Sequence, residues 1–401
     1  MTGTLASVVA GAAAKTLSAV EALTSRSNQH EFNGVTPLRL LLGEQRETID
    51  ALFVWVDDSG EDPVTAKNFV TWYDSRENHA SRSEFRLYFP RTEVSERLQE
   101  GDFFLILKLL NGSLVLAFAP GGSTAERQLR WLFDLTSTER RFEVLDANKL
   151  SSEIGFAGKS ILEQLGIDLS SAPVETDSDL DLLLSEFGEQ YPLTVELSRF
   201  ARENSECVDP RDDPDEALIS WLEREEAFFR QLERHLVRSR LREGFGEDVD
   251  AFVSYSLSVQ NRRKSRIGHA LEHHAGAVWD AFGLRYSKGK KTEGTSTPDF
   301  LFPGIEQYKD PQFDPSRLTM LAAKSTCKDR WRQILAEADR IPSKHLLTLE
   351  SGISVNQTSQ MADRQVTLVI PRALHDSYLP NQRAMLLSVR DFVELVQRRQ
   401  Q

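Results

Sequence analysis

The sequence predicts an α/β C-terminal domain preceded by a β-rich N-terminal domain. Three observations lead there. Between residues 31 and 135, short β-prone runs alternate with turn-forming residues. Between Thr297 and Ile341, two brief apolar runs are followed by apolar residues at three- and four-residue steps, so the period changes from strand to helix. Between these regions the composition turns acidic and proline-bearing. A chain of 401 residues has material for about two to three domains. The boundaries fall at 1–170, 171–215 and 216–401.

In chain order, Ala6 to Ala14 is small and apolar, without a basic leader and too short to span a bilayer. It reads as an N-terminal helix. The runs Ala51–Val56, Asn68–Tyr73, Glu84–Phe89, Phe103–Lys108 and Ser113–Phe118 read as strands of a small barrel or sandwich. Asn111-Gly112 between two apolar runs signals a hairpin. Two polar loops stand out. One is Ser25-Arg26-Ser-Asn28-Gln29-His30. The other, Arg76-Glu-Asn-His79-Ala-Ser-Arg82-Ser-Glu84-Phe-Arg86, alternates arginines with polar residues. Arginine, asparagine, glutamine and glutamate can read major-groove base edges, and they also make ordinary solvated loops.

Lys149 to Leu165 is expected to be helical. Residues 171–215 carry the acidic excess and four prolines, which marks an inter-domain linker ordered in part through Leu180 to Phe187. Asp215 is expected to cap a long helix with Leu218, Trp221, Leu222, Phe228, Phe229, Leu232 and Leu236 at helical spacing. Arg224 lies on it among glutamates. Ser258 to Phe282 reads as a second amphipathic helix closed by Gly283, and it carries Glu272. His269 and His273 have the spacing of a zinc helix, but Ala270 replaces the required glutamate and no further ligand follows.

Phe300–Phe302 and Arg317–Ala323 then read as strands, with Asp299 before the first and Lys324 after the second. From Lys328 an amphipathic helix is expected, with Trp331, Ile334, Leu335, Ala338 and Ile341 on one face and Arg330 and Glu337 sharing a side. Two carboxylates and an ammonium near the ends of two strands suit phosphodiester hydrolysis. Carboxylates hold hard divalent ions, which bridge phosphate oxygens. A lysine can orient the attacking water and stabilise developing charge.

This segment resembles the PD-(D/E)XK nuclease core, in the variant of the EcoRII-type restriction endonucleases. The usual acid two places before the lysine is replaced by Ala322. In that variant the acid comes from the following helix, thirteen residues after the lysine, and Glu337 stands thirteen after Lys324. Ala322-Ala-Lys-Ser-Thr-Cys-Lys-Asp-Arg-Trp-Arg-Gln, Lys344-His-Leu-Leu-Thr-Leu and Leu386-Leu-Ser-Val-Arg-Asp-Phe also resemble the family. The similarity covers Arg262 to Val396. It implies an α/β restriction-endonuclease-like domain in which Asp299 and Glu337 hold Mg2+, Lys324 positions water and Glu272 assists. It further implies that Lys328, Asp329 and Arg330 read the CC/GG half of a short CCWGG-like site. Arg262 would contact DNA, and Arg224 would line a pocket for flipped bases. A weaker N-terminal likeness implies a B3-like pseudobarrel that binds a second DNA copy through His30, Arg76, Arg82, Glu84 and Arg86, stimulating cleavage.

The net charge of −13 does not exclude nucleic acid, because the basic residues cluster at Arg262-Arg263-Lys264-Ser-Arg266 and Lys288-Gly-Lys290-Lys291. Two cysteines, Cys207 and Cys327, do not make a disulfide framework, and the expected location is the cytoplasm. The expected partners are double-stranded DNA at one or several sites, a second copy of the C-terminal domain, no membrane, and a methyltransferase of the same specificity. Two alternatives keep the DNA: a non-catalytic sequence-specific regulator, and a mismatch- or repair-directed nuclease. Intact Asp299, Lys324 and Glu337 argue against the regulator. Tyr308 reads as structural or as a DNA-backbone contact, not as a covalent nucleophile.

Overall fold

The computed structural model describes residues 4–22, 30–59, 61–77, 79, 82–135, 142–145, 154–167, 177–206, 209–294 and 296–401. The chain divides into two compact units, 1–172 with 352–354, and 173–351 with 355–401.

The first unit contains β1 (Val9–Thr16), β2 (Glu31–Gly34), β3 (Glu47–Trp55), β4 (Val64–Asp74), β5 (Phe85–Tyr88), β6 (Phe103–Leu109), β7 (Leu114–Ala119) and β8 (Glu143–Leu145). They form one curled half-barrel sheet in the order β2-β5-β4-β3-β7-β6-β1-β8. Among the described residues only β3 and β7 are parallel neighbours in this sheet. The expected hairpin joins β6 to β7, and Gly112 supplies its positive φ of 88°. The unit also contains the helices α1 (Thr36–Leu42), α2 (Thr124–Leu132) and α3 (Phe156–Gln164) and a single helical turn at Ala19–Ala22. Side chains alternate into two apolar cores, one around Phe103, Leu105 and Leu129 and the other around Phe53, Trp72 and Phe104.

The alanine-rich start of the chain is β1, not the helix its composition suggests. It pairs with β6 on one side and β8 on the other, and Ala12 and Ala13 are fully buried. Helix propensity favours alanine by only a few tenths of a kcal/mol per residue, about 0.7 at most against ordinary residues. Two ladders outweigh that. The small side chains also allow close approach: a Cβ at Gly11 would stand 2.5 Å from Leu41 Cδ1.

The second unit opens with α4 (Asp177–Phe187) and α5 (Thr194–Glu203), followed by the long helices α6 (Pro214–Glu243) and α7 (Val249–Ala281). The acidic stretch expected as a linker is thus helical for much of its described length. Its apolar residues Leu183, Leu197 and Phe200 pack with Phe228, Phe229 and Leu232 of α6 in one core. Asp181, Glu186, Glu196 and Glu203 are exposed and Asp179 pairs with Arg224, so the order extends beyond the Leu180–Phe187 expected. Helix α7 also begins nine residues earlier than expected, capped by Asp248.

Asp213, not Asp215, caps α6. Asp215 is buried and accepts three backbone hydrogen bonds, from Arg372 N (2.9 Å), Val389 N (2.9 Å) and Arg390 N (3.1 Å). Val389 and Arg390 open the last helix, α8 (Val389–Gln400), so Asp215 satisfies two amides that an isolated helix start leaves unbonded.

Buried charge also ties α5, α6 and α7 together. Glu225 and His274 are fully buried, and Arg266 is nearly so. His274 Nε2 lies 2.9 Å from Glu225 Oε2, and its Nδ1 lies 3.2 Å from an Arg202 nitrogen. A guanidinium only donates, so Nδ1 accepts and the ring is the neutral Nε2–H tautomer. Burial pushes the Glu225 carboxyl up, but His274 and Arg266 outweigh it and hold it below the usual range.

A five-stranded mixed sheet follows: β9 (Ser287–Lys288), β10 (Phe300–Phe302), β11 (Thr319–Ala323), β12 (Lys344–Leu347) and β13 (Val366–Val369), in the order β13-β12-β11-β10-β9. β10 runs antiparallel to both neighbours, whereas β11, β12 and β13 are parallel. Trp279 of α7, fully buried, sets its ring edge-on to Phe300 and Phe302 and tilted against Phe392 of α8. Among the described residues no helix is long and apolar enough to cross a membrane.

His345 on β12 is buried, and its Nδ1–H donates to the Met320 carbonyl at 3.2 Å. Burial pushes its pKa down from 6.5 to about 4. The folded state keeps it neutral while the unfolded chain protonates near 6.5. Its contribution is therefore complete above that value and is lost as pH falls towards about 4, at roughly 1.4 kcal/mol per pH unit. Urea unfolding near pH 7 and near pH 5 should show this slope, and His345→Gln should reduce it by about one proton. An unchanged slope in the variant would refute the assignment.

Candidate active site

The register of β10 and β11 builds the site. Phe300 opposes Leu321 across an antiparallel ladder, so the residue before β10 meets the residues that end β11. Asp299 Oδ2 accepts from Ala323 N at 2.7 Å and from Lys324 Nζ at 2.7 Å. Both side chains are mostly shielded, with 17% and 16% of their surface exposed. Lys324 N continues onto the next strand by donating to Leu347 O at 2.9 Å. Ala322, where an acid would stand in the ordinary pattern, is fully buried.

Glu337 arrives by a different route from the one its spacing predicts. Lys328–Ala336 forms a 3-10 segment, not an α-helix, and Glu337 follows it in extended conformation. Trp331, Ile334, Ala338 and Ile341 are buried as expected, while Arg330 is exposed and Glu337 half-buried beyond the end of the segment, so the α-helical spacing that would put those two on one side does not apply. With three residues per turn, 331 and 334 stack on one face, which a 3.6-residue period assigns only approximately. Glu337 Oε2 is buried with no hydrogen-bond partner. Burial raises the Glu337 pKa and the Asp299 charge raises it further, against Lys324 and Lys344. Glu272, half-buried on α7, is raised by burial and then by Asp299, and Lys288 and Lys324 oppose the shift. Asp299, Glu272, Glu337 and Lys324 therefore share one electrostatic neighbourhood.

Lys288 was missed as a site residue. Its Nζ lies 3.5 Å from Glu272 Oε2, and it faces Phe300 across the β9–β10 ladder. The sequence places it in a basic cluster, and only the pairing of β9 with β10 turns it towards the site.

Arg224 is bound in a bidentate pair with Asp179 at 2.8 and 2.9 Å, donates to Asn204 O at 3.0 Å and stacks on Phe228. It ties α4 to α6. Arg262 stacks on Tyr191, with 3.8 Å from its guanidinium carbon to the ring centre. Lys328, Asp329 and Arg330 form the first turn of the 3-10 segment, and the side chains of Lys328 and Asp329 lie outside the described residues. Tyr308 is buried in a short helix with its hydroxyl on Glu293, a structural placement. His273 and His274 take part in the helix contacts, His273 through Ser198 at 3.3 Å.

In the first unit, Arg76 pairs with Glu84 at 2.6 Å, Glu84 also pairs with Arg86, and Arg86 donates to Asn33 Oδ1 at 2.5 Å. These residues gather at the ends of β2, β4 and β5. Arg82 is exposed, and His30 sets its ring edge-on to Phe89. Ser25 to Gln29 and Cys207 lie outside the described residues, and Cys327 is a buried free thiol.

An acid ahead of one strand, a lysine after its antiparallel partner and flanking glutamates from separate elements mark the second unit as a restriction-endonuclease-like domain. Residues 229–393 match the family model described as EcoRII C terminal. The type II restriction enzyme EcoRII of Escherichia coli is 34% identical over 358 residues, covering 88% of this chain and 84% of that protein. The chain belongs to the EcoRII family and is a type II restriction endonuclease, a DNA-cleaving hydrolase. Among solved structures, metal-depleted Ecl18kI in complex with uncleaved DNA aligns at 18% identity and a TM-score of 0.42, covering 56% of this chain and 84% of that one. A PspGI–substrate DNA complex aligns at 16% and 0.40, covering 58% and 98%.

Proposed function

We propose that this enzyme cuts double-stranded DNA in a Mg2+-dependent reaction at a short, near-palindromic CC/GG-containing site of the CCWGG type. The observation that carries the reading is the Asp299–Lys324 pair at adjoining strand ends, with the unbonded Glu337 oxygen in the same field. The donor set suits a hard cation. Among the described residues no three His, Cys, Asp or Glu side chains make a ready-built cage. Mg2+ does not need one, because it is usually held by one or two carboxylates together with water and substrate phosphate. Asp299 and Glu337 would hold it, with Glu272 assisting. With Mg2+ bound, the site gains Lewis-acid polarisation of the scissile phosphate and a place to collect water. Lys324 orients the attacking water and stabilises charge on the phosphate as the water oxygen gives up a proton and bonds to phosphorus while the deoxyribose oxygen leaves and takes up a proton.

Lys328, Asp329 and Arg330 are the proposed readers of the CC/GG half-site, since basic side chains suit guanine O6 and N7 and an acid accepts from cytosine N4. Arg262 is a candidate phosphate contact. Arg224, held by Asp179 in the free protein, is the proposed lining of a pocket for flipped bases, and releasing that pair frees its guanidinium for a base. A two-fold site calls for a dimer of the C-terminal domain. The curled sheet of the first unit is read as a B3-like pseudobarrel binding a second DNA copy through His30, Arg76, Arg82, Glu84 and Arg86. The division into an N-terminal DNA-binding domain and a C-terminal catalytic domain, the cytoplasmic location and a matching methyltransferase belong to the same reading.

Incubating the protein with plasmids of varied sequence, in Mg2+ or in EDTA, and sequencing the fragment ends tests it. The expected result is discrete Mg2+-dependent ends at one CC/GG-containing site, with a single-site plasmid cut faster when a duplex bearing that site is added. Binding without cutting would support the regulator, and cutting confined to mismatches the repair enzyme.

A further inference from the structure

The loop that delivers Glu337 is held by other parts of the chain at every residue. Ser296 Oγ donates to Ala336 O at 3.1 Å. Lys344 Nζ donates to the carbonyls of Glu337 and Ala338, the latter at 2.8 Å. Asp339 N donates to Glu293 Oε2 at 3.4 Å, and Arg340 N to the Tyr308 hydroxyl at 3.2 Å. Five consecutive residues, 336 to 340, are therefore anchored from outside. Ala338 is held in the left-handed region at φ 50°, a conformation that a non-glycine residue adopts at some cost.

Lys344 is the centre of this cradle. It is 5% exposed, opens β12 and makes no ion pair among the described residues. A buried ammonium is costly, and here its hydrogen bonds go to two carbonyls, one of them Glu337's own. Asp299 and Lys324 need no such support because the β10–β11 ladder fixes them. Glu337 lies outside any ladder, and a metal ligand tolerates displacement of only about 0.5 Å.

We propose that Lys344 is a positioning residue that sets the Glu337 carboxylate for the divalent metal by clamping the carbonyls of Glu337 and Ala338. This rests on the reading of Glu337 as a metal ligand. Lys344 itself touches neither the metal nor the DNA.

The test compares Lys344→Met, Ser296→Ala and Glu337→Gln in the full-length protein. Two quantities are read: the half-saturating Mg2+ concentration for cleavage, and the rise in Tm of the DNA complex on adding Ca2+, which needs no turnover. Lys344→Met should raise the half-saturating Mg2+ by about 10- to 100-fold, as loss of a ligand's supporting partner does. It should shrink the Ca2+-dependent Tm rise, keep wild-type DNA affinity in EDTA and recover cleavage at high Mg2+. Ser296→Ala should move both readouts the same way by less. A folded Lys344→Met with wild-type Mg2+ dependence and Ca2+ response, beside a Glu337→Gln that has lost both, would overturn the proposal alone. Should Lys344→Met fail to fold, wild-type Mg2+ dependence in Ser296→Ala overturns it. Wild-type metal responses in Glu337→Gln would instead remove the ligand reading beneath it.

Discussion

Replacing Lys324 with alanine should reduce single-turnover cleavage by about a thousandfold or more while leaving DNA binding in EDTA within a few-fold of wild type. The loss has two parts. The ammonium that orients water and meets developing charge is gone, and Asp299 loses the partner 2.7 Å away that fixes its carboxylate. The fold should survive. Asp299 keeps its bond from Ala323 N, the Lys324 side chain is partly exposed, and the β11–β12 ladder uses only the backbone of residue 324. Gel shifts and quenched-flow cleavage on one duplex separate the two effects. A variant cutting within tenfold of wild type would remove Lys324 from the chemistry.

Asp215→Ala should be the most destabilising single change of a polar residue in the second unit, by about 3–5 kcal/mol. It leaves three backbone amides, those of Arg372, Val389 and Arg390, without their acceptor beneath a side chain that is only 5% exposed. Two of these amides open α8, so the helix start loses its compensating negative charge as well. Asp215→Asn, which keeps one acceptor oxygen, should lose less. Urea unfolding of both variants decides the matter, and a midpoint for Asp215→Ala within error of wild type would contradict it.

Much of this was legible in the sequence, for identifiable reasons. β3, β4, β5, β6 and β7 carry branched and aromatic residues between turn formers, and these report strands directly. β1 escaped because alanine and glycine take their conformation from their neighbours. Order through Leu180 to Phe187 anticipated most of α4, whereas α5 was hidden by the charges on its outer face, although Leu197 and Phe200 were there to be counted. Asp299 and Lys324 could be paired from sequence because they flank two adjacent strands. Glu337 could be named from an expected helix and from family likeness, but its route was not legible, since its position depends on a 3-10 segment and a left-handed alanine that apolar periodicity does not encode. Lys288 and Asp215 act through contacts between separate elements, and Lys344 through backbone carbonyls six and seven residues back that the turn at Ala338 brings to it; local pattern has no access to either.

The split between ladder and loop has a consequence for how such a centre can change over generations. Asp299 and Lys324 hang on one pair of strands, so shifting one shifts the other. Glu337 hangs on a separate segment with its own anchors. A strand position such as 322 can therefore surrender its acid once another segment brings an oxygen to the same place. What the chemistry needs is an oxygen at one address, and nothing in that need dictates which stretch of backbone delivers it.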